Sequence, residues 1–518
     1  MRIKDFARYL PCAGILFLAM LSMTCIGIIG SNQDTRSPAR VTDLRVDSVV
    51  YNTAYLSWTA PGDNNALGMA YEYEMRYSSK SIEVLDWNEA IIADLDYPLP
   101  AGSKEQYAIK GLLPETEYFF ALKSLDQRGN KSQMSNIAPL EDFEISFPDP
   151  DFEKAIRFFM ANDTGIIRYS DALCHDHMII RFNNIITDLT GLEYFKNLRQ
   201  FILLKSLVTD IAPLSQLAEL QNLYITASQI SEICPLENLV NIEFIDLSYN
   251  KISDLSGFSG LNGLKKLILN INEIEDLTPL AGLISLNSLS LDANEISNLS
   301  PLASLKSLKS LNLKNNLISD IAPLAALDSL ITLDISGNQL TDLNALSESE
   351  SLQILYASDN LIEALDDISE LINLERLLLT GNQISDLSPL ANLAKLQRLT
   401  LSKNNITHLN GIQNHPYLQV VDLTYNEIED VGGLSGLPSL SELYLQYNHI
   451  SNLAGLTNLE NISRLALYHN NIEDIYPLVI NPNIGDGVSI NLRENPLSEK
   501  SINEYIPILE SRGAMVFY

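Results

Sequence analysis

Cysteine is almost missing from this chain. Four occur in 518 residues, and only Cys174 and Cys234 lie beyond the first 25. Two thiols without metal-ligand spacing exclude a disulfide framework and a cysteine metal site, so stability has to come from an apolar core. Histidine is scarce as well, with six residues, and there is no Gly-rich phosphate loop, GxSxG, HExxH or CxxC. Basic residues are outnumbered, 34 Lys and Arg against 65 Asp and Glu, for a net charge of −31. Phosphate contact needs a basic face, which excludes nucleic acid as a partner. The acids are spread along the chain and not packed into blocks, the pattern of a solvated surface.

What the chain has in abundance is a period. Asparagine recurs every 22 residues at Asn250, Asn272, Asn294, Asn316, Asn338, Asn360, Asn382, Asn404, Asn426, Asn448 and Asn470, and the count extends backwards to Ser228, Ser206 and Asn184. Within one period, LKKLILNINEIEDLTPLAGLIS, apolar residues fall at Leu264, Leu267, Leu269, Ile274, Leu277, Leu280 and Leu283. Neither period 2 nor period 3.6 fits throughout, so LxxLxL makes a short strand and NxIxDLxPL returns the chain. Seven buried side chains contribute about 10–20 kcal/mol. Ordering a coil's backbone costs more, about 1–2 kcal/mol per residue, so each coil must stack on its neighbours. The asparagine carries both donor and acceptor, and can satisfy backbone groups where the strand bends. Serine at 206 and 228 has less reach, and the first coils should be held less tightly. Pro213, Pro235, Pro279, Pro301, Pro323, Pro389 and Pro477 share one return-path position and favour extended or 3₁₀ backbone there.

With these features the chain resembles the leucine-rich repeats of the bacterial internalin type from about residue 148 to 518. The resemblance implies a helical cap at FPDPDFEKAIRFF (147–159), a first coil at ITDLTGLEY (186–194) and a closing segment at NPLSEKSINEYIPILESRG (495–513). Asp149 can cap the helix with Pro150 at its first position, and Phe152, Ile156 and Phe159 share one face.

Ahead of the repeats, residues 39–140 show short alternating strands between turns. AYLSWTAPGD (54–63), with core Trp58, and the corner Leu112, Pro114, Thr116 and Tyr118 resemble a fibronectin type III module, which we read as a spacer. The first 30 residues carry Arg2, Lys4 and Arg8 and then an apolar run from Tyr9 to Gly30. LSMTC (21–25) resembles a relaxed lipoprotein signal with Cys25 as the acylated residue. Lipidation, an uncleaved membrane anchor and plain secretion all fit it, and each places the protein outside the cytoplasm.

The fold class expected is therefore mixed: a β-sandwich followed by a right-handed, curved leucine-rich-repeat solenoid with a helical amino-terminal cap and a carboxy-terminal cap. The divisions are 1–30 signal or anchor, 31–38 linker, 39–140 sandwich, 141–182 linker and cap, 183–480 repeats and 481–518 closing cap.

Candidate chemistry is sparse. Cys174, His175, Asp176 and His177 form the one cluster with ligand character, and we read it as structural; Asp366 and Asp367 beside Glu363 and Glu370 lack calcium-loop spacing. No catalytic residue, metal or cofactor is expected, and the chain is read as a non-enzyme. Binding should use the concave sheet face, on which positions 3, 5, 7 and 8 of each coil project, at about 4.8 Å between coils. Position 8 reads Tyr425, Tyr447 and His469 in successive coils, with Tyr444 and Tyr468 beside them, and this is the first-choice ligand patch. A second patch holds Ile202, Leu204, Tyr224, Phe244, Tyr249, Ile268 and Ile271. Between them lie Tyr356 and the like-charged neighbours Arg376 and Arg398, with Lys403 nearby; an acidic ligand edge or intramolecular carboxylates could bridge them, and the latter are the slightly favoured expectation. The functional expectation is an exported, membrane-attached surface protein that binds a protein or a glycan. The alternatives are an intracellular repeat scaffold, such as a phosphatase-binding subunit, and an accessory of an envelope or polysaccharide-processing system.

Overall fold

The computed structural model describes residues 36–518 apart from 51–52, 64–67, 83–85, 96, 113–115, 141–143 and 182–184. The apolar leader with Cys25, most of the linker, Pro114 and Asn184 lie outside the described residues.

The amino-terminal domain is a β-sandwich with seven strands among the described residues: β1 (Arg45–Val50), β2 (Thr53–Thr59), β3 (Glu72–Ser78), β4 (Ile91–Ala93), β5 (Lys104–Lys110), β6 (Tyr118–Leu125) and β7 (Ala138–Leu140). One sheet has the order β1-β2-β5 and the other β4-β3-β6-β7. Alternation puts Trp58, Tyr73, Met75, Phe120 and Leu122 inside, and the edge of Trp58 meets Tyr73 at 5.4 Å.

The repeats build a 16-stranded sheet in strict chain order, from His177–Arg181 to Met515–Phe517. Its pairs are parallel, and Leu267 aligns with Leu289, Leu311 and Leu333 in turn. Buried leucines and isoleucines from successive coils join one continuous core. Most return paths hold a 3₁₀ turn, several with proline near the start, as at Thr278–Leu280 and Ser300–Ser304, and others without it, as at Ser256–Phe258 and Asp366–Ile368. At Pro477 the turn is α-helical instead, Tyr476–Ile480.

Asparagine side chains form the internal spine. Asn338 Nδ2 donates to the carbonyls of Leu313 (3.0 Å), Ile335 (3.0 Å) and Ser336 (3.2 Å), and its Oδ1 accepts from the Ile318 amide (3.0 Å). Each amide therefore ties two coils together. Where serine replaces it, Ser206 and Ser228 bond each other at 2.6 Å and satisfy less backbone.

The sheet runs beyond the 183–480 span expected for repeats, at both ends. Its first strand falls where a linker and cap were expected, and Ser489–Asn491 and Met515–Phe517 fall inside the expected closing segment. Strand pairing requires only backbone spacing, so extra residues are absorbed in the turns and the 22-residue count fails. His177 pairs with Gln200, Arg464 with Ser489 and Ser489 with Met515. For the same reason the spine has a further member, Asn495, which bonds the carbonyls of Leu467 and Leu492 and the Ile472 amide.

The acids of the return path are not simply solvated. In NxIxDLxPL the aspartate accepts the amide two residues on, as Asp276 does from Thr278 (2.8 Å) and Asp386 from Ser388 (2.8 Å). The hydroxyls of Thr278 and Ser388 add a second bond and hold both carboxyls below their ordinary pKa.

At the amino-terminal end, α1 (Pro150–Met160) buries Phe152 and Ile156 against the core, with Phe159 packed beside them. Asp149 Oδ1 caps it through the amides of Asp151 (2.8 Å) and Phe152 (3.0 Å). Its Oδ2 accepts from the first coil, at Thr187 N (2.7 Å), Thr187 Oγ1 (2.9 Å) and Asp188 N (3.1 Å). One carboxylate thus joins cap to solenoid.

Position 8 of the coils is left-handed. Tyr249, Ile271, Lys403, Tyr425, Tyr447 and His469 have φ of 59°, 56°, 55°, 56°, 57° and 54°, and Gly337 and Gly381 occupy the same place. The turn swings the next residue, the spine asparagine, inward, and the position-8 amide donates to the following coil, as Ile271 does to Asp292 (2.7 Å). A β-branched side chain is disfavoured at such φ. Ile271→Asn is expected to raise stability by about 0.5–1 kcal/mol, read as a higher urea midpoint; an unchanged midpoint would show that the isoleucine's contacts outweigh the strain.

Candidate recognition surface

Because position 8 is left-handed in consecutive coils, its side chains leave the outward face of the sheet at one strand spacing, about 4.8 Å. That spacing suits ring stacking. Tyr425 and Tyr447 lie face to face with centroids 4.1 Å apart and planes 6° from parallel. His469 packs against Tyr447 at 4.6 Å with its plane tilted by 36°, and Tyr468 meets it edge-on at 5.1 Å. Tyr425 and His469 are exposed, and Tyr447 and Tyr468 half-buried. A hydrogen bond with Tyr447 and partial burial push the Tyr425 hydroxyl upward in pKa, against the opposing charge of Lys403. Glu494 continues the column, with Oε2 3.9 Å from His469 Nε2.

Tyr444 does not join the stack. Its hydroxyl donates to Glu442 Oε2 at 2.5 Å, and burial followed by this bond raises its pKa. Sequence spacing placed it beside the other rings, but position 5 lies within the strand, away from the position-8 column.

The remaining expected residues are separate from the stack. Phe244 stacks on Tyr224 at 4.5 Å with Lys266 Nζ 5.2 Å from its ring, while Tyr249 is 56% exposed. Tyr356 is half-buried on the strand Ile354–Tyr356. Arg376 and Arg398 are exposed and directly paired in register. The intramolecular carboxylates expected for them are absent: no ion pair involves either arginine among the described residues. The acid next in sequence, Glu375, faces Gln397 instead, at 3.1 Å.

The cysteine–histidine cluster is part of the cap. His175 packs on Phe159 (4.9 Å), and burial, then its neighbour His177, lower its pKa. His177 Nδ1 lies 2.8 Å from Asp176. Among the described residues no group of three or more His, Cys, Asp or Glu is placed to hold a metal, and no helix is long and apolar enough to cross a membrane. His415, given no role from the sequence, is 1% exposed and lies between the carbonyls of Ile412 (2.9 Å) and Leu390 (3.1 Å), where adjacent coils have Leu393 and Leu437. Its place in the leucine register was the available signal.

Known proteins share these modules. The fibronectin type III family model matches residues 39–140, and leucine-rich repeat models match 240–282, 284–326 and 394–450. An internalin of Listeria monocytogenes, inlF, is 30% identical over 65% of this chain and 94% of its own, with a TM-score of 0.54. The functional domain of InlJ from the same organism shares the fold at 21% identity, covering 68% of this chain and 82% of its own with a TM-score of 0.53. Human calcium-activated chloride channel regulator 4 is 36% identical over 130 residues, and the match spans 23% of this chain but only 13% of that protein. The near-complete overlap with inlF, on a sheet built by the same repeat, assigns the family: the chain belongs to the internalin-like leucine-rich repeat proteins, with a fibronectin type III domain before its repeats.

Proposed function

We propose that this chain is a non-catalytic recognition protein that binds a protein partner through the outward face of its parallel sheet, centred on Tyr425, Tyr447, Tyr468 and His469. The observation that carries this reading is the four-ring cluster built by three adjacent coils. Tyrosine gives large contact area for little lost entropy, and clustered rings of this kind supply most of the energy in many interfaces. Phe244 and Tyr249 form a second, more apolar contact region on the same sheet face. The family supports an extracytoplasmic location, with residues 1–30 as export signal or anchor and Cys25 as the acylation site. Fractionation before and after deletion of 1–30 tests that part, and cytosolic wild-type protein would overturn it.

Tyr447 is the decisive position, since it touches the other three rings. Tyr447→Ala is expected to weaken binding to intact target-cell surfaces by about 2 kcal/mol or more, while circular dichroism shows the fold retained. Equal binding by variant and wild type would move the site elsewhere.

A further inference from the structure

Arg376 and Arg398 stand side by side on neighbouring parallel strands, both exposed, with no carboxylate bonded to either among the described residues. Like charges directly opposite in a sheet are unfavourable. In a chain with 65 acids and 34 bases, a compensating carboxylate would be easy to supply, yet Glu375 is turned to Gln397. Lys403, five residues beyond Arg398 on the same coil, links this pair to the aromatic stack, since it occupies the left-handed position one coil before Tyr425. The rings themselves narrow the ligand class. Tyr447, the central ring, is engaged by Tyr425 in a stack and by His469 at a 36° tilt, so it is already partnered within the chain. A sugar docks on an open aromatic face, whereas side chains of a polypeptide pack against ring edges.

We propose that Arg376 and Arg398, with Lys403, receive the carboxylates of an acidic segment of the protein partner, whose apolar side chains continue onto the Tyr425–Tyr447 stack. This rests on the sheet-face reading above. A guanidinium takes a carboxylate through two parallel N–H···O bonds. In an extended segment, alternate side chains share a face at about 6.6 Å, a spacing that two flexible arginines on adjacent strands can span. The segment recognised is therefore one with acids at alternate positions followed by aromatic or aliphatic residues.

The test uses the full chain and two labelled probes: a short peptide with glutamate at alternate positions followed by tyrosine and leucine, and an oligogalacturonate as a carboxylated glycan. By fluorescence anisotropy the peptide should bind, and Arg376→Gln with Arg398→Gln should weaken it about tenfold or more, with a smaller salt dependence than wild type. Circular dichroism of this neutral double variant confirms that the fold is retained. Unchanged peptide affinity overturns the proposal, as does oligogalacturonate binding equally well through the same arginines. The same variant assayed on target-cell surfaces separates this proposal from the sheet-face reading. If Tyr447→Ala loses binding and the arginine variant does not, the acidic-segment proposal fails and the sheet-face reading stands; if neither loses binding, both fail.

Discussion

Asn338→Ala is expected to destabilise the solenoid by about 2–4 kcal/mol, the largest loss for removing so few atoms. The Ile318 amide is left with no acceptor inside the core, since Asn338 Oδ1 is the group it reaches. The Leu313 and Ile335 carbonyls each keep one bond, from Asn316 and Asn360, because adjacent spine amides share them. The Ser336 carbonyl keeps the Asn315 amide. One orphaned buried donor at about 1–3 kcal/mol, plus three weakened carbonyls, gives the stated range. Stacked coils interact only with their neighbours, so the damage should be local. The readouts are a lower urea midpoint and faster hydrogen exchange at the Ile318 amide, with distant amides little changed. A midpoint within about 0.5 kcal/mol of wild type would show that the spine is incidental to stability.

Asp149→Ala should remove a comparable amount, about 2–4 kcal/mol, through the loss of a helix cap and of the bonds to Thr187 and Asp188. The cap covers the end of the core, so the loss exposes Phe152 and Ile156. Burial alone would raise the Asp149 pKa, but the amides of Thr187, Phe152 and Asp188 and the Thr187 hydroxyl outweigh it and hold it below the ordinary carboxylate value. A folded-state pKa below the unfolded value means that protonation favours unfolding. The contribution is complete above pH about 4 and disappears as pH falls through the folded-state pKa. The difference in melting temperature between wild type and Asp149→Ala should therefore be large near neutrality and shrink in acid. A difference that stays constant with pH would assign the effect to packing and not to the carboxylate.

Much of this was legible beforehand. The 22-residue asparagine period gave the coil, the parallel stack and the interior placement of its leucines, and DPDFEKAI gave a capped helix. The aromatic column was legible for the same reason: residues 22 apart become neighbours when coils stack in register. What could not be read was which neighbours touch. Tyr444 and Tyr447 are three residues apart, yet one bonds Glu442 and the other stacks in the column, because the left-handed turn at position 8 redirects its side chain. Glycine at 337 and 381 was the visible trace of that turn. The strands that extend the sheet into the cap segments left no trace in the 22-residue count, because extra residues shift it without disturbing strand pairing.

The sequence by itself determined a repeating unit too small to fold alone, and with it the stack, its core and its spine, since period and burial follow from side-chain chemistry at fixed spacing. Only the tertiary structure decided that four of five rings form one cluster, that two arginines remain without carboxylates and that one aspartate fastens cap to coil. Those outcomes depend on backbone angles and side-chain directions at single residues, which a pattern of residue types leaves open.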